Sequence, residues 1–251
     1  MDKSMAFITL TPENVMSEHL CCAIADKKHQ TGVNDKRNWL AERIKEGHVF
    51  RKLDAQGKVF IESAPLEKAW VPVTGDNYFY IYCLWVSGSY KGKGYGKELL
   101  QSCIDDAKAQ GKSGICLLSS KKKKPFLSEK KFMLKYGFKV VDTINDEYEL
   151  LALSFDGTQP QFTSNVRKQS IEGKELTIYY GVQCPYIPNC IEQIYNYCEN
   201  NQIPLRLVEI DTLEKAKQLP CIFNNWAVFY NGKFETVHLL NEGLLKKLLL
   251  R

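Results

Sequence analysis

The residues best suited to chemistry are glycines placed where a strand gives way to a helix. Lys91-Gly92-Lys93-Gly94-Tyr95-Gly96 follows the apolar run from Tyr78 to Val86. It precedes Leu99, Leu100, Cys103, Ile104 and Ala107, which fall on one helical face before Gly111 ends the pattern. Glycines leave backbone amides uncovered, and a helix N-terminus adds unpaired N–H groups and partial positive charge, so this loop is predicted to bind phosphate oxygens. Its Gly-x-Gly-x-Gly spacing departs from the Gly-x-Gly-x-x-Gly of dinucleotide-binding turns, and no Lys-Ser/Thr pair follows as a nucleotide-hydrolysing phosphate loop requires. A glycine turn serving only chain reversal is the bland alternative.

A thiol is the second candidate. Leu176 to Tyr180 reads as a strand running into Gly181-Val182-Gln183-Cys184-Pro185-Tyr186 and then a helix, a corner where the helix N-terminus stabilises a Cys184 thiolate. Cys190 lies five intervening residues on, so pairing the two needs an irregular first turn, for which Pro188 is placed. His19, His29, His48 and His238 share no ligand spacing with one another or with the cysteines, and no metal site is expected. The run Lys121-Lys122-Lys123-Lys124 is either a solvated loop or a patch that attracts phosphates or an acidic substrate.

These residues need a scaffold. The chain has 251 residues, 44% hydrophobic, 25% charged and 12% aromatic, an ordinary globular composition for which two domains are the natural division. No apolar run approaches the roughly 20 residues that span a bilayer, and the first residues lack a signal peptide's basic end and apolar stretch, so no membrane association is expected. Nine cysteines, an odd number scattered along the chain, fit a reducing cytoplasm better than a disulfide framework. A formal net charge of +5 is too mild for a nucleic-acid footprint.

Periodicity predicts a strand near Phe7 to Leu10, a helix through Val15, Leu20 and Ile24, and another through Trp39, Leu40 and Ile44 with Asn34 or Asp35 as cap. A hairpin of Val49 to Leu53 with Lys58 to Ser63 turns about Asp54-Ala55-Gln56-Gly57. After the glycine loop and its helix come a strand at Ile115 to Leu118, a helix from about Pro125 to Lys135, and strands at Phe138 to Val141 and Tyr148 to Phe155. Residues 156–174 hold turn formers with little apolar periodicity, which divides the chain into a domain over 1–158, a linker over 159–174 and a second domain over 175–251. That second part reads as strand, helix (Asn189 to Cys198), strand (Leu205 to Ile210), short helix (Leu213 to Leu219), two strands (Ala227 to Tyr230, Phe234 to Leu239) and a helix from Asn241. Cys21, Cys22, Cys83, Cys103, Cys116 and Cys198 fall on apolar faces and read as small buried hydrophobes.

The loop in this setting resembles the Arg/Gln-x-x-Gly-x-Gly/Ala signature of the GCN5-related N-acetyltransferase (GNAT) family, with Lys91 in place of Arg or Gln, and the resemblance spans about residues 5–155. It implies an α/β fold of a mixed, mostly antiparallel sheet flanked by helices. It also implies acetyl-CoA as co-substrate: Lys91, Gly92, Lys93, Gly94, Tyr95, Gly96 and Lys97 hold its pyrophosphate, and backbone groups of Leu84, Trp85 and Val86 pair with its pantetheine arm and steady the oxyanion. The amine of a small molecule or peptide then attacks the thioester directly in a ternary complex. The family's acidic tyrosine falls on Met133, leaving Tyr136 as the nearest donor, and an asparagine often found near that helix's start falls on Phe126. With no carboxylate in the strand, Glu62, Tyr82 or a water relay are the candidate bases.

The second part resembles thioredoxin-like folds, especially glutaredoxins, although aligning on Phe229-Tyr230-Asn231-Gly232 puts Asn224 where those folds carry a cis-proline. With both redox landmarks altered, a structural or substrate-gating domain is the reading preferred over dithiol chemistry at Cys184 and Cys190. The combination looks like the YoaP-like acetyltransferases. The competing reading is a thiol-redox or binding protein whose first domain only senses CoA.

Overall fold

The structure, a computed structural model, describes residues 6–20, 23, 26–125 and 127–250. Cys21, Cys22, Ile24 and Phe126 lie outside the described residues, and the expectations resting on them go no further.

The first part of the chain forms strands β1 (Phe7–Thr9), β2 (Val49–Leu53), β3 (Val59–Pro65), β4 (Val73–Thr74), β5 (Tyr78–Val86), β6 (Gly114–Ser120), β7 (Lys139–Ile144) and β8 (Tyr148–Ser154). Seven of them make one sheet in the order β1-β2-β3-β5-β6-β8-β7. Every neighbouring pair is antiparallel except β5 and β6, which run parallel. Helix α1 (Gln30–Ile44) covers one face, and α2 (Tyr95–Ala109) packs Leu99, Leu100, Cys103, Ile104 and Ala107 on the other with Ile61, Phe79 and Ile81. All five of those α2 residues are buried, as the periodicity predicts. The helix stops where Gly111 turns left-handed (φ 62°), with Lys112 N–H reaching Ala107 O at 2.9 Å and Gly111 N–H reaching Lys108 O at 3.0 Å.

Three predicted helices are altered. Residues 12–18 form turns, not a helix, because the Arg37 guanidinium takes the Val15 and Glu18 carbonyls (2.8 Å to the latter) that helical amides would otherwise claim. The next helix begins earlier than Asn34 or Asp35, after a 3₁₀ turn over Lys27–His29 capped by Asp26, whose carboxylate accepts from Lys28 N–H at 3.0 Å. The helix expected from Pro125 shrinks to α3 (Lys130–Leu134). Pro125, Leu127 and Ser128 are non-helical, and Ser128 O accepts from the Ser119 hydroxyl at 2.8 Å.

The linker also differs from expectation. It contains β9 (Gln161–Phe162), paired with β4, and a 3₁₀ turn over Ser164–Lys168. Phe162 and Val166 are buried, Asp142 Oδ2 accepts from Phe162 N–H at 3.0 Å, and Arg167 binds Asp142 Oδ1 at 2.8 Å. A segment poor in periodicity is thus anchored by two apolar side chains, a pattern too sparse to read as an element.

The second part comprises β10 (Leu176–Tyr180), α4 (Ile187–Asn200), β11 (Leu205–Glu209), α5 (Leu213–Lys217), β12 (Trp226–Tyr230), β13 (Lys233–Thr236) and α6 (Glu242–Leu249). Its sheet runs β11-β10-β12-β13, with β10 and β11 parallel and the other pairs antiparallel. One sheet face buries Ile178, Trp226 and Val228 against α4 and α6. The other carries Ala227 and Phe229 with Ala216 of α5, and Trp70 of the first part packs there.

The two parts share core. Ile222 and Val237 are buried in one cluster with Leu66, Tyr80 and Tyr148, and the Tyr148 and Phe234 rings lie 5.9 Å apart. Lys217 reaches across to donate to the Leu66 and Val73 carbonyls, each at 2.8 Å. Burial of that ammonium lowers its pKa to about 8.

Candidate active site

Alternation along β5 sends Tyr78, Tyr80 and Tyr82 to one face and Phe79 and Ile81 to the other. Pairing with β3 then slips: Glu62 lies opposite Cys83 but Ser63 opposite Ile81, so Tyr82 is an extra residue, a β-bulge. One inserted residue reverses the facing of everything beyond it. Leu84 and Val86 therefore join the α2 side, whereas Trp85, 46% exposed, projects with Cys83 to the α1 side.

On its other edge, β5 pairs with β6 only through Tyr78, Phe79 and Tyr80, opposite Gly114, Ile115 and Cys116. Beyond that the two strands part, β6 continuing alongside β8. The end of β5 thus has one edge held by β3 and one facing the fork, which leaves strand-type hydrogen-bonding groups for a third, extended partner.

The fork leads to the glycine loop. Lys91, Gly92, Lys93 and Gly94 are exposed, and Gly92 and Gly94 are left-handed, at φ 77° and 89°. A Cβ at Gly92 would meet nothing within 4 Å, and one at Gly94 only Glu98 Oε1 at 3.6 Å. Backbone conformation, not crowding, therefore calls for glycine here, and the loop's outer side is open. Among the described residues, the amides of Gly92, Lys93, Gly94, Tyr95 and Gly96 take no backbone carbonyl, while Lys97 and Glu98 both donate to Gly94 O. Gly94 N-caps α2 without a side-chain bond, so five consecutive amides are presented at a helix start.

The candidate proton-transfer residues do not converge on this loop. Glu62 is fully buried, bonded at 2.6 Å to Lys36 Nζ and at 3.0 Å to His48 Nε2. Burial alone would raise its carboxyl, but the Lys36 charge and the His48 hydrogen bond outweigh that and hold it at about 2. An anion so held is a poor proton acceptor at neutral pH, and the expectation of Glu62 as base gives way to a structural ion pair. Tyr82 is also committed: its oxygen accepts from Trp70 N–H at 2.6 Å, and burial raises its pKa well beyond the usual phenol value. Tyr136 follows α3, half-buried against Phe132 with ring centroids 4.9 Å apart, on the α2 side of the sheet, while Met133 is buried. Three of the four lysines at 121–124 pair with carboxylates: Lys121 with Asp146 at 2.6 Å, Lys123 with Glu129 at 3.6 Å, and Lys124 with Glu147.

The opposite face of the fork opens into a cavity of about 530 Å³ between the two parts. The first part contributes Lys36, Tyr82, Cys83 and Trp85; the second contributes the Cys184 corner, Asn224 and Asn225, and the stretch from Val237 to Asn241. None of the glycine-loop residues lines it. The corner docks on α1 at Gly32, where a Cβ would stand 2.1 Å from Pro185 O, and the His29 and Tyr186 rings meet at 4.5 Å. Pro188 sits in the first turn of α4 without breaking it. Cys184 precedes the helix and lines the cavity. Cys190 is buried within α4, donates its thiol to Leu240 O at 3.0 Å, and is pushed up to about 12 by burial.

Sequence reasoning missed three groups. Lys36 gave no signal because a lysine inside a helix reads as surface. Gln183 and His238 became visible only when the parts came together. Burial and the Lys124 charge lower the His238 pKa, so its imidazole on the cavity wall is neutral at pH 7. Among the described residues no cluster of His, Cys, Asp and Glu suits a metal, and no helix is long and apolar enough to cross a membrane.

The bulged strand, the open fork and the run of bare amides at a helix start all fall within residues 14–138, which match the sequence model of the Acetyltransferase (GNAT) family. The chain belongs to that family, and N-acetyl transfer with acetyl-CoA as co-substrate is its assignment. Within the family it is a YoaP-like member. Residues 204–247 match the YoaP-like model, and the uncharacterized N-acetyltransferase YoaP of Bacillus subtilis (strain 168) is 39% identical over 247 residues, 98% of each chain. Two similar solved structures are the PaiA N-acetyltransferase of Thermoplasma acidophilum in complex with coenzyme A and an N-acetyltransferase of Staphylococcus aureus Mu50. The former is 18% identical, covers 60% of this chain and all of that one, and has a TM-score of 0.42. The latter is 16% identical, covers 61% and 99%, and has a TM-score of 0.43.

Proposed function

We propose that the two substrates approach from opposite faces of the sheet and meet at the fork beyond Tyr80 and Cys116. Acetyl-CoA lies on the α2 face, its pyrophosphate on the amides from Gly92 to Gly96, between Lys91 and Lys97, and its pantetheine arm extended along Leu84, Trp85 and Val86. The acceptor amine occupies the cavity on the α1 face, and its neutral nitrogen attacks the thioester carbonyl. A backbone N–H at the end of β5 stabilises the oxyanion, the C–S bond breaks and CoA leaves as thiolate. His238 is the wall group suited to take the proton the amine must lose. Tyr136 is retained as the candidate acid for the thiolate.

The second part supplies one wall of the acceptor site. Its strand order, with a parallel first pair and a Cys-Pro corner before the first helix, supports a thioredoxin-like reading. The buried, hydrogen-bonded Cys190 thiol, held about 12, works against dithiol exchange with Cys184.

The single observation that carries this proposal is the placement of the open loop and the cavity on opposite sides of one fork. Incubating the full chain with acetyl-CoA and a panel of primary amines, while following free thiol, tests it. Amine-dependent thiol release with formation of an N-acetyl product is the expected result, and release independent of any amine would contradict it.

A further inference from the structure

We propose that the acceptor carries a single positive charge on an apolar or aromatic body bearing neutral, amide-like polar groups, and that polyamines are rejected. This rests on the acetyl-transfer reading above. Among the described residues lining the cavity there is no aspartate or glutamate. The ammonium of Lys36, the wall's formal charge, is already satisfied by Glu62 at 2.6 Å, and Asp26 stands outside the lining, 3.5 Å from Nε2 of His29. A second ammonium brought into this space would lose water and find no counter-ion, a cost of several kcal/mol for an unpaired charge in a protein interior. The single ammonium of the acceptor meets the same penalty, which favours the neutral amine needed for attack.

What the wall offers instead is neutral hydrogen bonding. Asn225 Nδ2 donates to Gln183 Oε1, and Gln193 Nε2 donates to Asn189 Oδ1 at 2.9 Å. Each amide pair uses one donor and one acceptor, which leaves an NH₂ and a carbonyl to read an amide of the ligand. The buried Nδ1 of His29 also has no partner among the described residues. Tyr82, Trp85, Tyr186 and Trp226 supply the apolar surface between these groups. A volume of about 530 Å³ suits a ligand of small-molecule size.

The test compares phenylalaninamide, leucinamide and tryptamine with spermidine and 1,5-diaminopentane as acceptors for the full chain, reading thiol release and product mass. The acetyl-CoA-induced rise in Tm is measured in parallel. At least one monoamine should exceed both polyamines by about 100-fold in kcat/KM, and Gln183→Glu, which adds a carboxylate to the buried part of the wall, should shrink that ratio at least tenfold. Polyamines turned over equally well, a ratio untouched by Gln183→Glu, or no transfer to any of the five while acetyl-CoA still raises Tm would each overturn the acceptor assignment. Loss of the Tm rise would instead overturn the acetyl-CoA reading beneath it.

Discussion

Two strand-to-helix corners in this molecule have nearly the same local architecture and opposite surroundings. From β5 to α2 the chain turns on left-handed glycines, exposed, with five amides taking no backbone carbonyl. From β10 to α4 it turns through Gln183-Cys184-Pro185, with Pro185 O pressed against Gly32 of α1. Both corners offer a helix start, yet only the first leaves it open to a large anion. The second is occupied in joining two parts of the chain and in walling a cavity. Local sequence makes a corner capable of binding, and what packs against it decides whether it binds.

The comparison breaks most severely if α1 loses its footing. Glu62→Ala strands the Lys36 ammonium in the interior and should cost on the order of 3–5 kcal/mol of stability, read by denaturant unfolding. Because α1 holds the second corner, amine KM should rise, while acetyl-CoA binding on the other face persists. The wild type adds a pH signature. Glu62 is depressed from 4.5 to about 2 in the folded state, so its contribution is complete above about pH 4.5 and is lost as pH falls towards 2. Glu62→Gln should flatten that part of the Tm–pH profile.

A smaller effect falls on chemistry alone. His238→Gln should lower kcat about 100-fold, or ~2.7 kcal/mol, with the acetyl-CoA-induced Tm rise intact. Next comes the docking contact. Gly32→Ala places a methyl where Pro185 O stands and should cost about 1–3 kcal/mol of stability, raising the amine KM about tenfold and leaving the acetyl-CoA KM unchanged. Smallest of all, replacing Lys121, Lys122, Lys123 and Lys124 by alanine should change the acetyl-CoA KM less than about threefold, since three of them spend their charge on neighbouring carboxylates.

The first corner was legible in the sequence because everything that makes it is local: an apolar run, glycines at fixed spacing, and a helical face from Leu99 to Ala107. The element order of the second part was legible for the same reason, down to the Leu176–Tyr180 strand and the helix from Asn241, whose side chain the structure shows as the cap, accepting from Leu244 N–H at 2.9 Å. What escaped depends on partners distant in the chain. The bulge at Tyr82 exists only in register with Glu62, and the helix predicted through Val15 yields to Arg37. The linker's Phe162 and Val166 find their core across the sheet. Lys36 as a buried ion-pair partner, and a cavity walled by both parts, follow from tertiary docking that no periodicity records.

The central claim is that the amides between Lys91 and Lys97 hold acetyl-CoA. Thermal melting with acetyl-CoA at about 100 times its Kd measures this directly, because such occupancy contributes about 2.7 kcal/mol and should raise Tm by roughly 5–10 °C in a chain of this size. Gly94→Glu, which puts a charged side chain on a left-handed residue at the mouth of the loop, should erase that rise. An equal rise in both proteins would contradict the account.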